Sequence, residues 1–526
     1  MQETLQISSS QQTINGVNWL ESVQMIIENN NKAFHEDGSW RQEEPMVADV
    51  LTITESKKEI QKLNRAFQAQ KKAFDHNPNP GFETRREWLL RLKKALLNNQ
   101  ERIIDALNED FSNRSRDETL LAELMPSIQA INYALKHMKQ WMKPAKRHVG
   151  LLFLPADNAI HYQPLGVIGI IVPWNYPVNL AIGPLVAALA AGNRAMIKMS
   201  EFTPRTSELL REILSTTFTE DLVTVISGEA DVAAEFSKQP FDHLLFTGST
   251  AVGRMVMKAA AENLTPVTLE LGGKSPAVVA EDVPIADAAE RIAFGKAFNA
   301  GQTCIAPDYV LCPEHKIDAF VDAFIGKFQN MYPTLKDNQD YTAVINERQL
   351  QRLKGYLADA EQKGARIIEI NPGNESFNRG TRKLPVHIIL DATPEMKVLQ
   401  EEIFGPLLPV IPYKNVDEAV TYINNRPRPL ALYYFGYRKS EQKRLLERTH
   451  AGGVCINDTL VHFAQDDMPF GGVGESGMGH YHGKEGFLTF SNAKGVHTKQ
   501  RFHSGKIIFP PHGTLLHHLV YKLFIK

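Results

Sequence analysis

The sequence predicts an α/β protein of more than one domain, built on doubly wound parallel sheets. The chain has 526 residues, too many for a single hydrophobic core. From about residue 150 onward, short apolar, β-branched runs that stop at Gly, Pro or Ser alternate with stretches of helical periodicity, the signature of strand–helix–strand units. Apolar residues make up 43% and charged residues 22%, the balance of a chain that buries a core.

Residues 1 to 56 are rich in Gln, Ser, Asn and Glu, which predicts a disordered or loosely attached extension. Residues 57 to 143 space apolar side chains by three and four, as in "REWLLRLKKALLNNQERIIDALNEDF", so helices are expected. Then "GVIGIIVPW" reads as a buried parallel strand ending at proline. "NLAIGPLVAALAAG" follows as a helix, "RAMIKMS" as a strand, "RTSELLREILST" as a helix and "LVTVISG" as a strand. A helix over 231 to 237 and the strand "HLLFTGS" complete the run, and a second α/β stretch spans about 270 to 460. "PFGGVGESGMGHYHGKEGF" (469 to 487) is expected to be a loop, since its glycines permit positive φ and close backbone approach. The tail "LLHHLVYKLFIK" (515 to 526) is apolar with scattered Lys and His. It suits packing on protein, its own body or another subunit, with a membrane surface as the alternative.

Several function classes are disfavoured. With 58 basic against 60 acidic side chains and a formal net charge of -2, no general basic field exists to hold nucleic acid. The three cysteines, Cys304, Cys312 and Cys455, include no CxxC pair. That excludes a disulfide framework, makes a structural zinc site unexpected and fits a reducing compartment. The start lacks a secretion signal's basic patch and apolar core, and the apolar stretches 165 to 172 and 180 to 191 are too short to cross a bilayer. A cytoplasmic protein is expected.

Four segments could carry chemistry. Cys312 and Cys455 sit in apolar, strand-like runs and read as buried filler. Cys304, in "FNAGQTCIAPDY", has polar neighbours and a backbone set by Gly and Pro, which suits an accessible thiol tuned by its surroundings. Glu270, in "VTLELGGKSP", is either an edge-strand side chain facing water or a buried carboxyl with a raised pKa that can serve as a general base. "FTGSTAVG" (246 to 253) follows a strand and opens a helix, offering N–H groups and a positive dipole end to phosphate, although it is not the GxGxxG fingerprint. Lys198 and Glu201 of "IKMSEFTP" follow another strand end, where an acidic residue can accept hydrogen bonds from ribose hydroxyls. "VPWNYPVN" places Asn175 at a strand's C-terminal end, where its amide could donate to a developing oxyanion.

In this order, "PWNYP", "KMSE", "FTGSTAVG", "LELGGKSP", "GQTCIAPDY", "EEIFGP" and "PFGG" resemble the blocks of the aldehyde dehydrogenase superfamily. The likeness extends over about residues 57 to 500, and "GQTCIAPDYVL" with the Gly-rich stretch is closer to the class 3 branch of fatty and aromatic aldehyde enzymes. The resemblance implies a Rossmann-like NAD domain, an α/β catalytic domain and a small β oligomerisation arm. It divides the chain into a polar extension (1–56), an NAD-binding domain (57–268, with 144–163 joining the arm), a catalytic domain (269–470) and a terminal part (471–526) holding the Gly-rich loop, an arm strand near 490 to 500 and the tail.

The resemblance further makes Cys304 the nucleophile, Glu270 the general base, and Asn175 with the Cys304 N–H the oxyanion hole. Gly248, Ser249, Thr250, Ala251, Val252 and Gly253 would approach the cofactor phosphates. Lys198 and Glu201 would hold the adenosine ribose. Trp174, Glu402 and Phe404 would lie on the cofactor side, the last two placing the nicotinamide, while Tyr176 and Phe470 would line the aldehyde tunnel. The implied cofactor is NAD, with NADP possible, no metal is needed, and the partners are a small-molecule aldehyde and a second copy in a homodimer. The implied substrates are phenylpropenyl aldehydes such as coniferyl aldehyde, with medium-chain aliphatic aldehydes second. Two other readings are an acyl-CoA-forming dehydrogenase, which a water-activating Glu270 opposes, and a binding protein on a retired scaffold, which retention of both Cys304 and Glu270 opposes.

The Glu201 carboxylate should repel the 2′-phosphate of NADP. We expect a higher kcat/KM with NAD than with NADP in steady-state assays, and equal values would remove this role from Glu201.

Overall fold

The computed structural model describes the backbone of residues 47–377, 380–501, 505 and 509–525, with side chains from residue 56 on. The extension expected over residues 1 to 56 lies outside the described residues as far as residue 46. Beyond that the expectation is corrected, because a helix runs over Val47–His76. No Gly or Pro interrupts the sequence from Met46 to Asn77, so nothing breaks the helix before the Pro that follows. The chain divides into a unit through Lys57 and a unit from Lys58 to Lys526; the second holds three sheets.

The first sheet contains β3 (Val167–Ile171), β4 (Arg194–Lys198), β5 (Val223–Ile226), β6 (His243–Gly248), β7 (Val267–Leu271) and β15 (Gly477–Met478) in the order β15-β7-β6-β3-β4-β5. All neighbours are parallel except β15, which pairs antiparallel with β7. The parallel strands are apolar and buried nearly end to end because helices cover both faces. The helix Asn179–Ala191 is apolar on all sides and buried throughout, so it is an inner layer rather than a surface helix. It stops at Gly192, whose φ of 94° closes the last turn in the left-handed region. After β3 the chain builds outward to β4 and β5, then returns to the other side of β3 for β6 and β7. The direction of winding therefore reverses between β3 and β6, which opens a crevice at their C-terminal ends.

The second sheet contains β8 (Pro276–Val279), β9 (Tyr309–Pro313), β10 (Arg366–Ile370), β11 (Val386–Leu390), β12 (Leu407–Tyr413), β13 (Ala431–Phe435) and β14 (Gly453–Ile456), in the order β10-β11-β12-β9-β8-β13-β14. Only the edge strand β10 runs antiparallel to its neighbour. The third sheet is a small antiparallel arm of β1 (Ala145–Arg147), β2 (Ala156–Pro164) and β16 (Ser491–Lys499). The last two pair from Ser491 opposite Pro164 to Lys499 opposite Ala156.

The Gly-rich stretch is not the uninterrupted loop its composition suggests. It contains β15 and the start of a helix, Gly483–Thr489, whose Phe487 is buried. Glycine makes this possible through close approach: Gly477 lies opposite Glu270 at φ 138°, and a Cβ there would collide with the Leu269 carbonyl. We expect Gly477→Ala to cost about 2 to 4 kcal/mol, from strain and displacement of β15, read as a lowered Tm with reduced turnover. An unchanged Tm would show that β15 is not held by this contact.

Candidate active site

β3 ends at Ile171, and the turn after it presents Trp174, Asn175 and Tyr176. Asn175 is buried, and its Nδ2 donates to the Gln302 carbonyl at 3.2 Å. The Asn175 carbonyl accepts from Arg114 Nη1 at 2.8 Å and from Asn299 Nδ2 at 3.3 Å. Tyr176 is buried, and its hydroxyl bonds the Thr303 hydroxyl at 2.7 Å, which ties the end of β3 to the residue before Cys304. Trp174 meets the Phe404 ring edge-on at 5.2 Å.

The approach to Cys304 is a left-handed turn. Asn299 and Ala300 each have φ of 51° and Gly301 has φ of 70°. A non-glycine residue in that region costs about 1 to 2 kcal/mol, so the turn needs support. Glu118 supplies it: one carboxylate oxygen accepts from the Asn299 N–H at 2.9 Å and the other from the Thr342 hydroxyl at 2.5 Å. The Gln302 amide donates to the Asn299 and Ala343 carbonyls, each at 3.0 Å, and accepts from the Ile345 N–H at 2.9 Å. Behind it, Arg114 pairs with Glu123 at 3.4 Å, both side chains fully enclosed. Burial pushes both Glu118 and Glu123 up to about 7. None of these residues stands out in the sequence, where Glu118 and Glu123 look like solvent-facing charges on a helix. Only the tertiary fold turns them inward.

The Cys304 side chain is half-buried. Its thiol pKa is pushed up to about 12, mainly by burial, then by the negative potential of Glu402 and Glu270, while the N–H groups of Cys304 and Ile305 oppose the rise. Cys304, Glu270 and Glu402 thus share one electrostatic neighbourhood, as does Tyr481, whose hydroxyl feels both Glu270 and Cys304. Cys312 and Cys455 are buried in strands β9 and β14.

Glu270 lies on β7 with its side chain turned inward. It is 3% exposed, and neither carboxylate oxygen has a hydrogen-bond partner among the described residues. A Cβ on Gly471 would stand 3.1 Å from Oε1. The reading of Glu270 as an edge residue facing water is thereby excluded. Burial alone raises its pKa well above the ordinary carboxyl value.

The "EEIFGP" segment crosses close behind. A Cβ on Gly272 would collide with the Glu402 carboxylate, and a Cβ on Gly301 with the Gly405 carbonyl. Burial pushes Glu402 up to about 8; Asp308 adds to the rise and the Gly273 N–H opposes it. Phe404 has φ of 47°, and its segment is pinned accordingly. Arg352 Nη2 donates to the Ile403 carbonyl at 2.7 Å, Asp308 accepts from the Ile403 N–H at 2.9 Å, and Lys296 donates to the Gly405 carbonyl at 3.0 Å. Asp308 is held in turn by Lys274 at 2.6 Å. Sequence reasoning passed over Arg352, Asp308, Lys296 and Lys274; of these, only Asp308 and Lys274 lie inside quoted motifs.

On the opposite side, Lys198 closes β4. It is buried, and Nζ donates to the Met199 and Gly228 carbonyls at 2.7 and 2.6 Å. Burial lowers its pKa and Glu201 opposes that shift. Glu201 lies half-buried in the turn that follows. Gly248 closes β6, and Ser249 caps the helix Thr250–Ala261 by accepting from the Val252 N–H at 3.4 Å. Ser249, Ala251 and Val252 are exposed, while Thr250 is half-buried and bonds the Glu475 carbonyl at 3.1 Å. Gly253 is buried where a Cβ would stand 2.5 Å from Leu271 Cδ2. An open helix N-terminus beside the β3/β6 crossover, with an ammonium that retains a third donor, fits the phosphates and ribose of a dinucleotide.

A cavity with about 570 Å³ of empty space, open mouth included, is lined by Gln129, Trp141, Asn179, Phe463, Tyr481 and His482 among others. Phe470 is buried beside it, stacked on His482 at 5.1 Å and edge-on to Phe463 at 4.9 Å.

The model of the aldehyde dehydrogenase family matches residues 37–496. A "probable coniferyl aldehyde dehydrogenase" of Pseudomonas aeruginosa is 59% identical over 482 residues, covering 91% of this chain and 100% of the relative. Among solved structures, the substrate-bound state of Staphylococcus aureus AldH is similar with a TM-score of 0.83 and 37% identity, covering 88% of this chain and 99% of that one. An indole-3-acetaldehyde dehydrogenase complexed with NAD+ is similar with a TM-score of 0.77 and 25% identity, covering 84% and 89%.

Because its pKa is raised to about 12, the Cys304 thiol should be protonated at neutral pH in the free protein. Iodoacetamide labelling of Cys304, followed by peptide mapping, is expected to accelerate about tenfold per pH unit from pH 7 to beyond 10. A plateau near pH 8 would mean that the thiolate is stabilised instead.

Proposed function

The chain belongs to the aldehyde dehydrogenase family, and from that premise we propose that it oxidises its aldehyde to the carboxylic acid through a covalent adduct on Cys304. The observation that carries the residue assignment is the enclosure of Cys304 and Glu270 in one neighbourhood, beside an aromatic cavity.

The Cys304 thiol gives up its proton and its sulfur attacks the aldehyde carbon, forming a tetrahedral thiohemiacetal. Glu270 suits the proton-accepting role because burial raises its basicity together with the thiol's pKa, which narrows the gap between them. Asn175 spends one N–H on Gln302 and has a second to offer the oxyanion, alongside the Cys304 N–H; losing one such donor typically costs about 3 to 4 kcal/mol of barrier. NAD, or NADP in its place, supplies the hydride acceptor when bound. Lys198 and Glu201 hold the adenosine ribose, and Gly248 to Gly253 meet the phosphates. Trp174, Glu402 and Phe404 bound the nicotinamide end, with Phe404 fixed by its left-handed backbone. Once the adduct has become a thioester, Glu270 takes a proton from water, and the resulting attack releases the acid.

For the substrate we assign a phenylpropenyl aldehyde of the coniferyl type, with medium-chain aliphatic aldehydes second. Trp141, Phe463, Tyr481 and His482 around the cavity, with Tyr176 and Phe470 nearby, offer ring faces and edges to a flat conjugated substrate. We read the first sheet as the NAD-binding domain and the second as the catalytic domain. The arm would join two copies through β16, whose outer edge carries no strand in this sheet. Three free cysteines agree with a cytoplasmic setting.

Cys304→Ala should lower aldehyde oxidation by at least about a thousandfold, measured as coenzyme reduction across aromatic and aliphatic aldehydes. Glu270→Gln should keep a stopped-flow burst of reduced coenzyme while steady-state turnover falls about a hundredfold. Normal steady-state turnover in Glu270→Gln would sink the water-activating role, and a clear preference for aliphatic aldehydes in the native protein would sink the coniferyl-type assignment.

A further inference from the structure

The C-terminal helix Leu515–Phe524 is amphipathic in reverse. Leu515, Leu516, Leu519, Val520, Leu523 and Phe524 recur with the spacing of one helical stripe. On a helix packed against its own protein that stripe would face inward. Here Leu515 is 89%, Leu519 62% and Leu523 61% exposed, whereas His517 on the opposite side is the one buried residue of the helix. His517 is engaged by Thr514, whose hydroxyl lies 2.7 Å from Nδ1 in the cap of the same helix, and its ring neighbours are His512 and Tyr521. The expected packing of the tail on the protein's own body therefore does not occur through its apolar side.

The charge pattern points to one occupant. From Gly486 to the C-terminus the sequence contains no Asp or Glu, but it carries Lys494, Lys499, Arg501, Lys506, Lys522 and Lys526 together with five histidines. The whole chain has a formal charge of -2, so basic charge is concentrated at this end of the sequence. A second copy docked on the stripe would bring two such segments together, like charge against like. An anionic surface with an apolar interior answers both features, since the stripe enters the acyl boundary while Lys522 stays at headgroup level. No described helix is long and apolar enough to cross a membrane, and ten residues suffice only to lie in the interface.

We propose that the helix Leu515–Phe524 docks the protein on anionic lipid bilayers as a peripheral, interfacial anchor. The test is vesicle flotation of the full chain. The native protein is expected to float with phosphatidylcholine vesicles containing phosphatidylglycerol about tenfold more than with pure phosphatidylcholine, and to be released by added salt. The Leu519→Glu/Leu523→Glu variant should remain unbound with both vesicle types while retaining native aldehyde oxidation without vesicles. Three results would each overturn the proposal: no flotation of the native protein with anionic vesicles, equal flotation of the variant, or a smaller oligomer for the variant in size-exclusion chromatography, which would give the stripe to a second copy.

Discussion

The site depends on a strained turn held by one buried carboxylate. Asn299, Ala300 and Gly301 lie successively in the left-handed region, and that path delivers Cys304 to the site at the end of β3. Left alone, a chain would relax to a right-handed conformation. Glu118 binds the first N–H of the turn, and Asn299 itself bridges to the carbonyls of Asn175 and Gln302. The nucleophile loop and the oxyanion donor are thereby fixed to the same small polar lattice. Where the lattice has charge it is enclosed, and Arg114 set against Glu123 limits the cost of that enclosure.

Enclosure also sets the chemistry. Glu270 has no hydrogen-bond partner among the described residues and Cys304 has two carboxylates nearby, so desolvation and like-charge potential both favour neutral forms in the resting site. Such a site resists holding two anions at once. A proton shared between thiol and carboxyl, and later between water and carboxyl, is the economical arrangement: one buried base can serve both bond-making steps because its surroundings keep its pKa high.

The second sheet contributes mainly by restraint. Asp308, four residues beyond Cys304, accepts from the Ile403 N–H, while Lys296 and Arg352 hold the carbonyls of the neighbouring segment. The nucleophile loop and the loop bearing Glu402 and Phe404 are thus cross-braced, glycine against glycine, at Gly301 and Gly405. Displacement of one loop would be felt by the other, which links the placement of the nicotinamide end to that of the thiol.

Much of the fold was legible in the sequence because its signals are local. The buried strands "VIGII" and "RAMIK" declare themselves by apolar runs, and "NLAIGPLVAALAA" by an apolar helix of the right length. Cys304 was singled out because its polar neighbours differ from those of Cys312 and Cys455. Composition misjudged the Gly-rich stretch and the boundary near residue 56, since glycine permits a strand or helix start as readily as a loop. The inward turn of Glu270, Glu118 and Glu123 was not legible, because burial depends on what covers a residue from distant parts of the chain. The sequence by itself determined the order of strands and helices and which residue types could react. Tertiary structure alone decided which charges lose water, because desolvation is set by the surroundings a side chain is folded into, not by its neighbours along the chain.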